Sequence, residues 1–307
     1  MEIGTTRTME WPTLVLLAAT YLIWAAGTTI WPHSVLLSLT LTTLAITQFS
    51  SLQHEVLHGH PFQNRRWNEA LVYPALGFFI PFRRFRDSHL QHHYDPALTD
   101  PYDDPESYYC DPVVWARLPK FFRKLLEWNN TLAGRMLFGP ALGTVQFIAH
   151  DMQRIQQGDI QVRNAWLMHI GSLAVVVCWL TFVAMMPLWA YFVAVYLALS
   201  VLRIRTFLEH RAHDLGRART VVVEDRGPLA LLFLNNNFHV VHHMHPSVPW
   251  YRLPGLYAAR KAHFLRRNEG YVYKNYAEIF RRYWMTAKEP VAHPAWPVKK
   301  TPIEPEN

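Results

Sequence analysis

The chain has 307 residues, half of them hydrophobic and 17% charged, with 30 Lys and Arg against 23 Asp and Glu for a formal charge of +7. So few charges beside 14% aromatics exclude a disordered chain. Two cysteines, Cys110 and Cys178, exclude a disulfide framework and a cysteine-based zinc fold, which leaves seventeen histidines to be explained.

From Trp11 to Gln53 no Asp, Glu, Lys or Arg occurs. This is about twice the ~20 residues that one bilayer crossing needs, and far too long for a cleaved signal peptide. It reads as two spans, about 11–31 and 33–53, turning at Ile30-Trp31-Pro32-His33. A second charge-free run, from Asn164 to Leu202, reads as spans 164–185 and 187–205 with a turn at Met185-Met186-Pro187. Arg7 precedes the first hairpin, twelve basic residues lie within 54–163 and seventeen follow from Arg203, so neither turn carries positive charge. The positive-inside rule then predicts cytosolic parts at 54–163 and 206–307, with both termini cytoplasmic. The expected fold is an all-α integral membrane protein: four transmembrane helices in two hairpins, with a helical cytosolic cap, in one domain over 1–307.

Between the hairpins, 70–82 and 136–149 are apolar but too short to span. They are expected either to dip into the interface or to form core helices of the cap. From Trp250 to Ala287 basic and aromatic residues alternate, which in a membrane protein points to lipid headgroups rather than to nucleic acid. A Pro/Lys-rich tail from about Glu289 is expected to fray.

Twelve of the histidines fall in four windows: His54, His58 and His60; His89, His92 and His93; His210 and His213; His239, His242, His243 and His245. Residues three and four apart share a helix face, so one ion can bridge them. All four windows fall on the predicted cytosolic side, two at span ends, and can converge. His54, His58, His89, His92, His93, His239, His242 and His243 are the expected ligands. More imidazoles than one ion accepts imply two metals, and imidazole alone does not choose among zinc, copper, iron and nickel. A site beside a bilayer, where substrates are long apolar chains, favours iron and oxygen chemistry. His60, His213 and His245 are expected outside the ligand set, as neighbours of it. Glu55, Glu209 and Asp95, with the other acids following the second window (Asp100, Asp103, Asp104, Glu106), suit the second ring N–H of ligating histidines. His33, His150, His169, His263 and His293 stand alone and are expected to bind no metal. A histidine-rich metal transporter is the rival class, but it would place ionisable ligands near mid-membrane.

The boxes His54-x-x-x-His58, His89-x-x-His92-His93 and His239-x-x-His242-His243, in the order hairpin, two boxes, hairpin, box, resemble the membrane fatty acid desaturase and hydroxylase superfamily. Asn235 to Pro246 with Pro249-Trp250-Tyr251-Arg252-Leu253-Pro254 looks most like bacterial fatty acid desaturases. The resemblance implies a non-haem di-iron centre that uses O₂ and two electrons, in a bacterial inner membrane, and adds His210 to the ligands. Some acyl desaturases hold a metal-bound water with an Asn four residues before that histidine; Thr206 stands here instead. No haem-binding or cysteine-rich segment is present, so electrons are expected from a separate ferredoxin- or cytochrome-type donor. The expected activity is desaturation of a fatty acyl or lipid substrate, with lipid, alkane or carotenoid hydroxylation or ketolation as the alternative.

Overall fold

The structure is a computed structural model that describes residues 9–94 and 97–296; Arg7, Asp95 and the last eleven residues of the tail lie outside them. Among the described residues four helices are long and apolar enough to cross a membrane: α1 (Trp11–Thr29), α2 (Val35–Leu57) and, after the middle segment, α8 (Ile160–Phe182) and α9 (Leu188–Thr206). Their bounds differ from the sequence reading in informative ways. α2 continues to Leu57 and carries His54 on its last turns, because nothing in Leu52–Leu57 breaks a helix and Ser34 caps its start by accepting from Leu37 N. α8 begins at Ile160, where the Asp159 carboxylate accepts from Gln161 N and Val162 N.

The hairpins lie side by side and point the same way. Met185 N and Met186 N both donate to Thr28 O at 3.0 Å, and Trp179 Nε1 donates to Thr28 Oγ1, so both turns meet at one end. The histidine-bearing ends of α2 and α9 therefore share the other end. α1 approaches α2 closely at Gly27, where a Cβ would lie 2.7 Å from Thr42 Oγ1, and Ser38 Oγ donates to the Gly27 carbonyl at 2.6 Å. Several threonines of these helices direct their hydroxyls to carbonyls of their own preceding turn, as Thr20 does to Leu16 and Thr47 to Thr43, while Thr43 reaches across to Ala194 O.

The middle segment contains α3 (Arg65–Leu71), α4 (Phe82–His92), α5 (Pro112–Arg117), α6 (Lys120–Asn129) and α7 (Leu132–Gln156). The two short apolar stretches behave differently. Residues 72–81 form no helix but insert among the spans: Leu76 is fully buried, its carbonyl accepts from Tyr191 Oη, and Trp24 Nε1 donates to the same hydroxyl. Residues 136–149 lie within the single helix α7, with Pro140 inside it. α7 is tied to α4 and α8 by a buried ion pair: Arg84 donates to both Asp151 oxygens at 2.9 Å, and Trp166 Nε1 donates to Oδ2.

After α9 come β1 (Val222–Val223), α10 (Pro228–Leu232), α11 (His239–Met244), α12 (Leu253–Arg267), β2 (Val272–Tyr273) and α13 (Tyr276–Tyr283). β1 and β2 pair in parallel, Val222 opposite Val272. The basic and aromatic residues of this stretch divide by burial: Tyr257, Phe264, Tyr271, Tyr273, Tyr276 and Tyr283 turn inward, while Arg266 and Arg267 end α12. The described tail does not fray, because Cys110 N donates to Val291 O and His293 N to Cys110 O.

Candidate metal centre

Four segments deliver histidines to one place. α2 brings His54, with His58 just beyond its end; α4 brings His89 and His92, with His93 as the next residue; His210 follows α9; and α11 brings His239, His242 and His243. α11 is aimed by the three asparagines before it. Asn235 adopts φ +53°, a left-handed conformation that asparagine tolerates, and donates to Trp250 O. Asn237 donates to Val223 O at 2.6 Å, anchoring the turn on β1, and Asn236 faces His239.

The nine rings form two contiguous groups whose ligand atoms lie within 4.8 Å of one another: His54, His58, His89, His93 and His242; and His92, His210, His239 and His243. The rings of His93 and His243 stack at 4.3 Å and join the groups. Each H-x-x-H-H box is divided. His89 and His93 enter the first group while His92 enters the second; His239 and His243 enter the second while His242 enters the first. Helical geometry explains this, since positions i and i+4 lie within about 40° of one another and i+3 lies about 100° from i+4. Each such box thus gives two histidines to one group and one to the other.

Carboxylates and an amide lie behind the rings. His92 Nδ1 is 2.7 Å from Asp104 Oδ1, His89 Nδ1 2.8 Å from Glu106 Oε1, and His239 Nδ1 3.2 Å from Asn236 Oδ1. A ring that donates from Nδ1 presents a lone pair at Nε2. Those Nε2 atoms crowd together: His92 to His210 is 2.8 Å, His239 to His210 3.0 Å, His93 to His89 3.0 Å and His242 to His93 3.1 Å. His210 can donate one Nε2–H, yet it faces two acceptors. His54 Nε2 and His58 Nε2 are buried with no hydrogen-bond partner.

Burial, reinforced by neighbouring imidazoles, lowers the pKa of His58, His93, His210, His239 and His242, so these rings are neutral at pH 7. Burial also acts to lower His92, but the charge of Glu106 and the hydrogen bond and charge of Asp104 outweigh it and raise this ring to about 9. Desolvation acts to raise Glu106, while His92 and His89 hold its carboxyl well below the usual range. The carboxylates thus call for positive charge among neutral lone pairs, which a divalent cation supplies better than protons do. Orphaned nitrogens, opposed lone pairs and an all-imidazole donor set fit two first-row metal ions.

Other expected residues fall at different distances. Glu209 lies behind His239, with Oε1 3.8 Å from its Nδ1 and 3.1 Å from Arg205 Nε. Glu55 and His60 stand apart: Glu55 accepts from Trp250 N, and His60 Nδ1 pairs with Glu10 at 2.8 Å, which ties the start of α1 to the end of α2. His213 lies 3.5 Å from Glu269 on a surface turn, and His245 packs edge-on to Phe264; neither joins the groups. Asp95 lies outside the described residues, and Asp104 and Glu106 fill the supporting role expected of the acids after the second window. They reach the rings because the intervening turn folds back on Thr99 N and Glu106 N, both donating to Asp104. Of the isolated histidines, His169 bonds Phe78 O and His293 bonds Thr99 Oγ1. Thr206 borders a cavity of about 20 Å³ shared with Glu106, Glu209 and His210. Sequence reasoning missed Asn236, whose only local signal was its position three before His239.

Apolar hairpins capped by paired histidine groups define a membrane-type oxidoreductase scaffold. Residues 29–275 match the family described as fatty acid desaturase, and the chain belongs to that family. It is also 27% identical over 222 residues to a beta-carotene ketolase of Paracoccus sp. (strain N81106 / MBIC 01143), covering 70% of this chain and 75% of that protein.

Proposed function

We propose that this protein is an O₂-dependent membrane oxidoreductase that holds two iron ions in the nine-histidine cluster and desaturates a fatty acyl or lipid chain. The supporting observation is the reciprocal division of two H-x-x-H-H boxes between adjacent groups of buried, mostly neutral imidazoles. His54, His58, His89, His93 and His242 would hold one ion, and His92, His210, His239 and His243 the other. When bound, the metals supply oxidation of an unactivated C–H bond by O₂, with electrons delivered by a separate ferredoxin- or cytochrome-type donor. The chain's own residues do the rest. Asp104, Glu106 and Asn236 keep ring protons on Nδ1 and aim the Nε2 lone pairs inward. Leu52, Val240 and Val241, close in sequence to the ligating histidines, are fully buried. The basic cap, placed in the bacterial cytoplasm by the positive-inside rule, suits an acidic donor protein.

Insertion of oxygen is the second reading, favoured by the similarity to a beta-carotene ketolase. Mass spectrometry of lipids from cells producing the protein separates the two. Loss of two hydrogens marks desaturation; gain of an oxygen, or exchange of two hydrogens for an oxygen, marks hydroxylation or ketone formation. An unchanged lipid profile, with iron bound and an electron donor supplied, would refute both.

A further inference from the structure

A cavity of about 300 Å³ lies in the cap, lined by Lys288 and by none of the histidines. At ~30 Å³ per water it has room on the order of ten water molecules. Three basic side chains line it: Arg211, Arg282 and Lys288. Their donors are only partly used. Arg211 gives two of its five N–H groups to the carbonyls of Ala218 and Asn268 while its guanidinium lies 4.5 Å from the Tyr271 ring centre. Arg282 has no carboxylate partner among the described residues; it rests against the rings of Tyr283 and Tyr273 at 5.2 and 6.0 Å. Lys288 Nζ donates to His210 O at 2.9 Å.

The same wall carries phenol groups. Tyr273 and Tyr283 share one hydrogen bond at 2.8 Å, so one of the two hydroxyls keeps its proton for another acceptor. The one carboxylate among the lining residues, Glu289, is turned toward the Tyr109 hydroxyl and Ala212 N. Two guanidinium groups and the Lys288 amine therefore face a single acid, and that acid is engaged elsewhere. Guanidinium forks beside an ammonium and a phenol O–H match the oxygens of a tetrahedral oxyanion, and a phosphate ester carries close to two negative charges.

We propose that this cavity binds the phosphate group of a phosphate ester, held by Arg211, Arg282 and Lys288. The proposal stands on residues outside the histidine cluster and does not depend on which metal or reaction that cluster supports. Because Lys288 also holds the carbonyl of His210, an occupant would bear on a segment that reaches the cluster.

The test is calorimetric titration of the purified, metal-loaded protein with inorganic phosphate at constant ionic strength, with chloride as control. A parallel arm measures whether phosphatidic acid in phosphatidylcholine nanodiscs displaces the phosphate. Arg282→Gln is the first variant, because that side chain is exposed and its removal leaves no buried group unpaired. Saturable phosphate binding, weakened roughly tenfold or more by Arg282→Gln with metal content unchanged, is expected. Displacement by phosphatidic acid identifies a lipid headgroup as the source, and its failure identifies a soluble ester. Absence of saturable phosphate binding, or binding that Arg282→Gln leaves unaltered, overturns the proposal.

Discussion

Replacing Asp104 by Asn tests whether the carboxylates behind the rings set the metal affinity. Asp104 is 5% exposed and accepts three hydrogen bonds: Oδ1 from His92 Nδ1 at 2.7 Å and Glu106 N at 2.9 Å, and Oδ2 from Thr99 N at 2.8 Å. Asparagine keeps one acceptor oxygen. If that oxygen stays on His92, the new NH₂ confronts Thr99 N–H, and one hydrogen bond to a charged acceptor, worth about 1.5–3 kcal/mol, is lost. If the amide turns round, His92 loses the partner that fixes its tautomer. Loss of such an orienting group costs about 10–100-fold in metal affinity, or roughly 1.4–2.7 kcal/mol. Iron per chain is measured by plasma mass spectrometry after equilibration with graded chelator, and circular dichroism verifies the fold. The chelator concentration for half-release is expected to fall by that factor in Asp104→Asn. It should not change in Asp100→Asn, whose oxygen caps Tyr102 N and Asp103 N and touches no histidine. A folded Asp104→Asn protein with the wild-type release curve would refute the reasoning.

His92→Ala and His242→Ala each remove one ring from a different group, and each is expected to abolish turnover and to lower metal content by about one ion; full activity with both metals retained would contradict the assignment. Arg84→Met strands the fully buried Asp151 carboxylate and is expected to destabilise the protein by about 3–5 kcal/mol in thermal unfolding, whereas the pair Arg84→Met with Asp151→Leu should recover most of that loss. For acid stability of the metal-free protein, His58, His93, His210, His239 and His242 have folded values below their ordinary 6.5, so the unfolded chain takes up protons first as pH drops. Each such ring contributes a slope of about 1.4 kcal/mol per pH unit, and stability is expected to fall steeply below pH 6.5. His92 acts in the opposite sense, its contribution being lost as pH rises through about 9. A melting temperature that is flat from pH 7 to pH 5 would contradict this account.

Spacing and charge were enough to show the general plan. Two runs without Asp, Glu, Lys or Arg specify apolar hairpins whatever they pack against, because burying an unpaired charge in hydrocarbon is costly. The repeated H-x-x-H-H boxes mark metal chemistry because their spacing alone sets which ring nitrogens can meet. What spacing does not contain is partnership between segments far apart in the chain. That His92 joins His210 and His239, while His242 joins His54 and His89, follows from α4 and α11 meeting at the cluster with the end of α2 and the segment after α9. Asp104 and Glu106, 12 and 17 positions from the rings they meet, reach them because a turn after α4 folds back on itself. Likewise Arg211, Arg282 and Lys288 lie scattered over nearly eighty positions, and only the closing of the cap gathers their charges around one cavity. Local pattern determined the elements and the chemistry; long-range contacts, which no local periodicity encodes, decided which side chains share a site.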